Sequence, residues 1–424
     1  MSVPRACNGR NDVPRNDPAT VPDKECSMSY ASLPRGLETE LRELGPLVDF
    51  LQQSRWSQRA GEPGISDFVL GNPHEPVLPG FTRALERALP PQSSNWHAYQ
   101  MSDPHACNVV ARSLSEQTGV SFDPAFVSMT NGAFTGLRVT LQAVVEPGDE
   151  VLYISPPWFF YASMIRQTGG VPVGVSIDWD HFDIDLTAIE AAITPRTRAM
   201  IVNSPHNPTG RVFSEDALQA LAEVLTRASA RNGRSIAIIS DEAYRRILFD
   251  GRACPTPAAF YPHTLVVYTY GKTLLTPGER IGFIALAPGF PHAEETMAGL
   301  FMAQVLMGWG FPNALLQHAI DDIDRQIIDL EALQAKRDRM VSVLRASGYR
   351  TSEPEGTFYL VAESPFPNEW EFVDRLAQDD VFVLPGAVFD APGYVRISLT
   401  GTMEMIERAA PVFANIHSEL LTPV

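Results

Sequence analysis

Between residues 68 and 300, short apolar runs rich in Val, Ile and Leu alternate with longer amphipathic stretches. This alternation constrains the fold more than any other property of the chain. The runs at 126–130, 150–155, 171–177, 198–204, 235–241, 265–269 and 280–286 are too short for core helices. They carry β-branched and aromatic residues and read as buried strands. Between them, 134–145 and 214–230 carry apolar residues at helical spacing, with Ser214 placed to cap the second. Strands alternating with helices predict an α/β domain with a mainly parallel sheet. Such sheets hold their ligands just past the C-terminal ends of the strands.

The chain of 424 residues exceeds what one small core serves, so two domains are expected. The boundaries read as an N-terminal arm at 1–30, a large domain at 68–305, and a smaller α+β domain from 31–67 together with 306–424. Residues 1–30 are rich in Pro, Asn, Asp and Arg and show no periodicity. One helix is expected over 37–56 and a strand at 68–70. A long helix is expected over 313–346, stopped by Gly348, followed by a small sheet from 358–362, 381–384 and 394–399. A net charge of −17 argues against nucleic acid or an anionic membrane as partner. No apolar run approaches ~20 residues, and the first residues lack the apolar segment of a secretory signal. Cys7, Cys26, Cys107 and Cys254 are scattered, which suits reduced thiols and a cytoplasmic location.

Several polar residues sit where an apolar pattern does not need them. Lys272 lies in a loop between two core strands, where an ammonium is costly to hold. That makes it a candidate amine nucleophile or Schiff-base former. Thr269 and Arg280 flank it and can hold an anion. Asp241 ends a buried strand, an expensive position unless a cation meets it. Gly132 and Ala133 form a turn that feeds a helix N-terminus after a strand, a ready anion cradle. Arg396, between Val395 and Ile397 in a short strand, faces opposite to them and can clamp a carboxylate bidentately. Each feature alone has a structural reading: a surface lysine, a salt-bridged aspartate, an ordinary turn, an edge-strand arginine.

Together they occur in a fixed order. Gly71-Asn72-Pro73, Asn131-Gly132-Ala133, Pro205-His206-Asn207-Pro208-Thr209-Gly210, Asp241-Glu242-Ala243-Tyr244 and Thr269-Tyr270-Gly271-Lys272 precede Gly278-Glu279-Arg280-Ile281-Gly282. This series resembles the class I/II aminotransferases, fold-type I enzymes that use pyridoxal 5′-phosphate, over about residues 65–400. The resemblance implies a large cofactor-binding domain with a mainly parallel seven-stranded sheet flanked by helices. It implies that Lys272 is the Schiff-base lysine and general base. Gly132, Ala133, Thr269 and Arg280 would hold the phosphate, Asp241 the ring nitrogen, and Asn207 and Tyr244 the phenolic oxygen. Trp158 would stack on the ring, and Gly71 and Arg396 would receive the substrate carboxylate. Tyr99 would reach the phosphate of a second subunit, which implies a homodimer with its active site at the interface.

The pattern departs from the family at three places. Ala133 lacks the hydroxyl that many relatives carry, Gly271 stands where they keep Ser, and Ser102-Asp103-Pro104 replaces the usual loop after Tyr99. The implied reaction is transamination between an amino acid and a keto acid. Elimination, replacement, cyclisation or oxidation of an amino acid on the same cofactor is the alternative. A ligand-sensing regulator built on the same domain would need a basic DNA-binding segment, and residues 1–30 do not supply one.

Overall fold

The computed structural model describes residues 33–421, so the arm read at 1–30 lies outside the described residues. The strands are β1 (Ser66–Asp67), β2 (Val127–Thr130), β3 (Glu150–Ser155), β4 (Val171–Ser176), β5 (Thr197–Asn203) and β6 (Ala237–Asp241). They continue as β7 (Thr264–Thr269), β8 (Gly282–Leu286), β9 (Tyr359–Glu363), β10 (Val381–Phe382), β11 (Leu384–Pro385) and β12 (Tyr394–Ser398). Seven form one sheet in the order β2-β8-β7-β6-β5-β3-β4. β8 alone runs against its neighbours, antiparallel to both β7 and β2. The remaining pairs in this sheet are parallel.

Period-two alternation explains how the sheet is covered. Leu265 and Val267 of β7 pack with Leu137, Leu141 and Leu300 from the helices Gly132–Val144 and Ala293–Leu306. Val266 and Tyr268 point the other way and meet Val109, Val110 and Leu114 of the helix Pro104–Thr118. All four β7 side chains are nearly or fully buried. Each contributes roughly 1.5–3 kcal/mol by leaving water. Both faces are apolar for this reason, and the strands read as continuous hydrophobic runs. The helix Glu215–Asn232 shows complete end signals: Ser214 Oγ accepts from Ala217 N, Glu215 and Asp216 occupy the first turn, and Gly233 at φ +64° ends it.

A smaller antiparallel sheet, β11-β12-β9, lies in a second core with Leu47 and Phe50 from the N-terminal helices and Phe413 from the last helix. Three sequence expectations are corrected here. The helix expected over 37–56 is three helices, Arg35–Glu43, Gly45–Gln53 and Arg55–Arg59. Pro46 at the start of the second lacks the N–H needed to continue the first, and Ser54 caps the third. The helix expected over 313–346 is broken into Ala314–His318, Ile320–Asp324 and Leu330–Ala346. Asp329 caps the last piece by accepting from Ala332 N. Gly348, at φ +91°, does follow its end. Residues 68–70 are not a strand: only Ser66 and Asp67 pair, with Val381 and Phe382. Phe68 and Val69 are apolar because they are buried in the second core. Among the described residues no helix is long and apolar enough to cross a membrane.

Candidate active site

A cavity of about 620 Å³ opens past the C-terminal ends of the parallel strands, between the two cores. Gly71, Ala133, Trp158, Asn207, Asp241, Tyr244, Thr269, Lys272, Arg280 and Arg396 all line it. Lys272 sits on a one-turn helix, Tyr270–Thr273, rather than in an irregular loop. Thr269 caps that turn: its Oγ1 accepts from Gly271 N at 3.4 Å and donates to Ile281 O at 3.2 Å. Lys272 Nζ lies 5.8 Å from the Tyr244 ring centre and 5.7 Å from that of Phe358. It makes no hydrogen bond or ion pair to a described residue.

Asp241 ends β6 and is 5% exposed. Its Oδ2 accepts from the Tyr161 hydroxyl at 2.5 Å and its Oδ1 from Ala243 N at 3.2 Å. No arginine or lysine is in salt-bridge contact with it among the described residues. Burial pushes the carboxyl up to about 6, although Tyr161, the Ala243 amide and the charge of Lys272 pull it back. Asn203, at the end of β5, sets two neighbours at once. Its Nδ2 donates to Asp241 O and its Oδ1 accepts from Asn207 N, both at 2.8 Å. Asn207 Oδ1 in turn accepts from Arg396 Nη1 at 3.3 Å. That contact leaves the Asn207 amide nitrogen as the group able to donate into the cavity.

Arg396 is 3% exposed. Its Nη2 donates to Val69 O at 3.1 Å, its guanidinium carbon lies 4.1 Å from the Tyr359 ring centre, and its Nε is buried without a partner. Gly71 is required by Tyr359. A Cβ there would lie 2.2 Å from the Tyr359 hydroxyl oxygen and 2.6 Å from Phe358 Cε2. Burial raises the Tyr359 phenol, but the charges of Arg396 and Lys272 and a hydrogen bond with Tyr244 outweigh it and hold the group below its usual range. Tyr244, with burial as the main cause, is pushed well above its usual value.

The anion cradle is built by neighbouring strands. β2 and β7 both pair with β8, and Thr130 and Thr269 share Gly282 as their partner in register. Gly132 therefore lies against this strand end, at φ +81°, where a Cβ would stand 2.6 Å from Arg280 Nη2. Arg280 is exposed at the rim and donates from Nη1 to Pro277 O at 2.8 Å. The helix Gly132–Val144 starts here, and its N-cap, Asn131, makes no side-chain capping bond. Its first amides remain available to an anion. Trp158 forms an aromatic wall with Phe134, edge-on at 4.9 Å, and with Tyr161 at 5.6 Å.

Tyr99 is the predicted residue that the chain does not bring to this cavity. It is 85% exposed and packs on Phe311 with ring centres 4.8 Å apart, at a separate surface cleft. The sequence reading missed Tyr161, Asn203 and Tyr359. Tyr161 follows the aromatic run after β3, and Asn203 stands four residues before Asn207. Asn203 carries a signal, a polar tip at a strand end that lines the same cavity, whereas Tyr161 starts a helix inside an aromatic run and carries none.

Residues 70–413 match the family description Aminotransferase class I and II. The chain is 31% identical over 393 residues to a probable aspartate/prephenate aminotransferase of Thermus aquaticus, covering 90% of this chain and 99% of that one. Its fold is similar to that of an amino transferase from Eubacterium rectale, with a TM-score of 0.83 at 29% identity, covering 91% of this chain and 98% of the other. It is also similar to the aspartate aminotransferase of Thermus thermophilus with maleate, with a TM-score of 0.76 at 28% identity, covering 91% and 99%. On the family match over residues 70–413 and the likeness to these relatives, the chain belongs to the aminotransferase class I and II family, enzymes that transfer amino groups.

Proposed function

We propose that this chain binds pyridoxal 5′-phosphate and uses it to move an amino group between an α-amino acid and a 2-oxo acid. The observation that carries this reading is the set of unmet partners around one cavity. Among the described residues, Lys272 Nζ has no hydrogen-bond or ion-pair partner, Asp241 has no cation in salt-bridge contact, and Arg396 has an orphaned buried Nε. An aldehyde carbon, a pyridinium nitrogen and a carboxylate would satisfy these in turn. The residues present fit the group: Gly132, Ala133, Thr269 and Arg280 would hold its phosphate, Asp241 its ring nitrogen, and Asn207 and Tyr244 its phenolic oxygen. Trp158 would cover its face. Once bound, the cofactor supplies an electron sink for the pair released at the substrate Cα.

The chain's own residues do the rest. Arg396 binds the α-carboxylate, with Gly71 leaving the close approach open. The Tyr359 ring beneath the guanidinium keeps its fork aligned. Lys272 Nζ takes the proton from Cα as general base. Asn203 and Tyr161 act as positioning residues, the first for Asn207 and the second for the Asp241 carboxylate.

The reading includes a homodimer. Phe301, Met302, Leu306, Trp309 and Phe311 form an exposed apolar face, and Trp309 also lines the cavity. This face is continuous with the site and is suited to a second copy, which would bring its Tyr99 toward the phosphate end. The reading also includes a division into 31–67 with 306–424 against 68–305; the core around β9 and β12 supports it, although Leu316, Ile320 and Ile323 pack with the helix Pro104–Thr118 on the other side of that boundary. It places the enzyme in the cytoplasm, supported by Cys107 and Cys254 as free buried thiols.

Lys272→Ala tests the central assignment. Cofactor-dependent absorbance in the visible range and conversion of amino acids to 2-oxo acids both disappear in that variant. Retained turnover would overturn the reading, and elimination or cyclised products from the unmodified enzyme would redirect it to another reaction on the same cofactor.

A further inference from the structure

Three cations reach the cavity from the described residues: Lys272, Arg280 and Arg396. On the function proposed above, on which this inference rests, each has a partner: the cofactor's carbon, its phosphate and the substrate's α-carboxylate. No fourth arginine, lysine or histidine of this chain lines the cavity among the described residues. The one carboxylate there, Asp241, carries the same sign as an acidic substrate side chain.

Apart from Asn72 and Thr135, the walls left for the substrate side chain are apolar. Phe134 meets Trp158 at 4.9 Å and Phe160 at 5.4 Å, and Phe159 meets Phe160 at 4.7 Å, so one aromatic surface runs along this side. Leu70 and Phe159 both pack on the core that holds Tyr359, the side from which Arg396 projects. Trp309 closes the rim at 37% exposed. A side-chain carboxylate entering this space would lose its hydration with no counter-charge from this chain's described residues to replace it. A phenyl ring or large aliphatic group would instead exchange water for aromatic contact.

We propose that the side-chain subsite selects amino acids with uncharged apolar side chains, aromatic or large aliphatic, over aspartate and glutamate. The transfer balances without a further reactant: the donor gives up its amino group and Cα hydrogen and gains a carbonyl oxygen, and the acceptor 2-oxo acid does the reverse.

Purified protein loaded with pyridoxal 5′-phosphate is given phenylalanine, leucine, aspartate or glutamate in single-turnover reactions, and the 2-oxo acids are quantified. Phenylalanine and leucine are expected to exceed aspartate and glutamate in kcat/KM by on the order of 10²-fold. Calorimetry with 3-phenylpropanoate and succinate reads the subsite without chemistry, because neither carries an amino group. The first is expected to bind more tightly, with a negative heat-capacity change. Trp309→Arg, at the rim, is expected to narrow the ratio between phenylalanine and aspartate. Aspartate turnover equal to that of phenylalanine, or tighter binding of succinate, overturns the inference and leaves the aminotransferase reading standing. Absence of any 2-oxo acid from all four substrates overturns that reading and this inference with it.

Discussion

Asp241→Asn in the cofactor-free protein removes a charge and nearly keeps a shape. The amide oxygen still accepts from Tyr161, and the one bond given up is the 3.2 Å contact from Ala243 N. What changes is the burden of holding a carboxylate in a buried place without a cation. Burial lifts the carboxyl from its ordinary 3.8 to about 6. A group whose folded value is raised favours the folded state fully only below its unfolded value, and that contribution is lost as pH rises through about 6. At 1.36 kcal/mol per tenfold change in proton affinity, the loss reaches about 3 kcal/mol by pH 8. The Asn variant does not titrate and escapes it. With an unfolding entropy of about 2.1 cal/mol/K per residue, 3 kcal/mol corresponds to roughly 3 °C in a chain of this length. Scanning calorimetry of both cofactor-free proteins should show the variant melting about 3 °C higher at pH 8. The gap should be about half as large at pH 5, and it should close near pH 4. Added pyridoxal 5′-phosphate should then reverse the order, because only the carboxylate meets the ring nitrogen. A gap that does not vary with pH, or a variant less stable at pH 8, would refute the claim that Asp241 is a charge awaiting a cation.

Two further substitutions probe the supports of the site. Gly132→Ala must adopt φ +81° and place a Cβ 2.6 Å from Arg280 Nη2. The backbone conformation alone costs about 1–2 kcal/mol. Equilibrium titration should show at least tenfold weaker cofactor binding, and unchanged binding would remove Gly132 from the cradle. Glu242→Gln leaves the guanidinium of Arg245 in a site where both side chains of the pair are at most 2% exposed. A loss of about 3–5 kcal/mol by urea unfolding is expected, since an uncompensated charge remains buried. A change under 1 kcal/mol would mean that Gln117 Oε1 and Cys254 O, its other partners, suffice.

The site residues legible in the sequence were those that violate their surroundings. Lys272 between two apolar strands, Asp241 at the end of one and Arg396 inside another stand out because each is costly where it sits. The sheet was legible because strands covered on both faces leave unbroken apolar runs. Tyr161 was hidden for the opposite reason: a tyrosine in an aromatic stretch looks like packing, and only the fold brings its hydroxyl to a carboxylate 80 residues away. Tyr359 was hidden in the same way, since its tie is to Gly71, far along the chain. The helix breaks at Pro46 and before Asp329 carried local signals, a proline and a capping aspartate, that a count of apolar spacing passes over. At 68–70 the apolar pattern reported burial correctly, but burial does not determine whether a segment finds a strand to pair with.

Thr269 and Gly282 face each other across the antiparallel pair β7–β8, so Lys272 and Arg280 are mounted on the two arms of one clasp. Because β8 also grips β2, the Gly132 turn is fastened to the same fitting. The intervening residues are tied to both arms: Thr276 N donates to Gly271 O, Arg280 Nη1 donates to Pro277 O, and Leu274 is buried. An insertion at 274–279 should therefore change the reach from amine to guanidinium, so descendants of the chain have to acquire new rim contacts from other segments if the anchor is to stay intact.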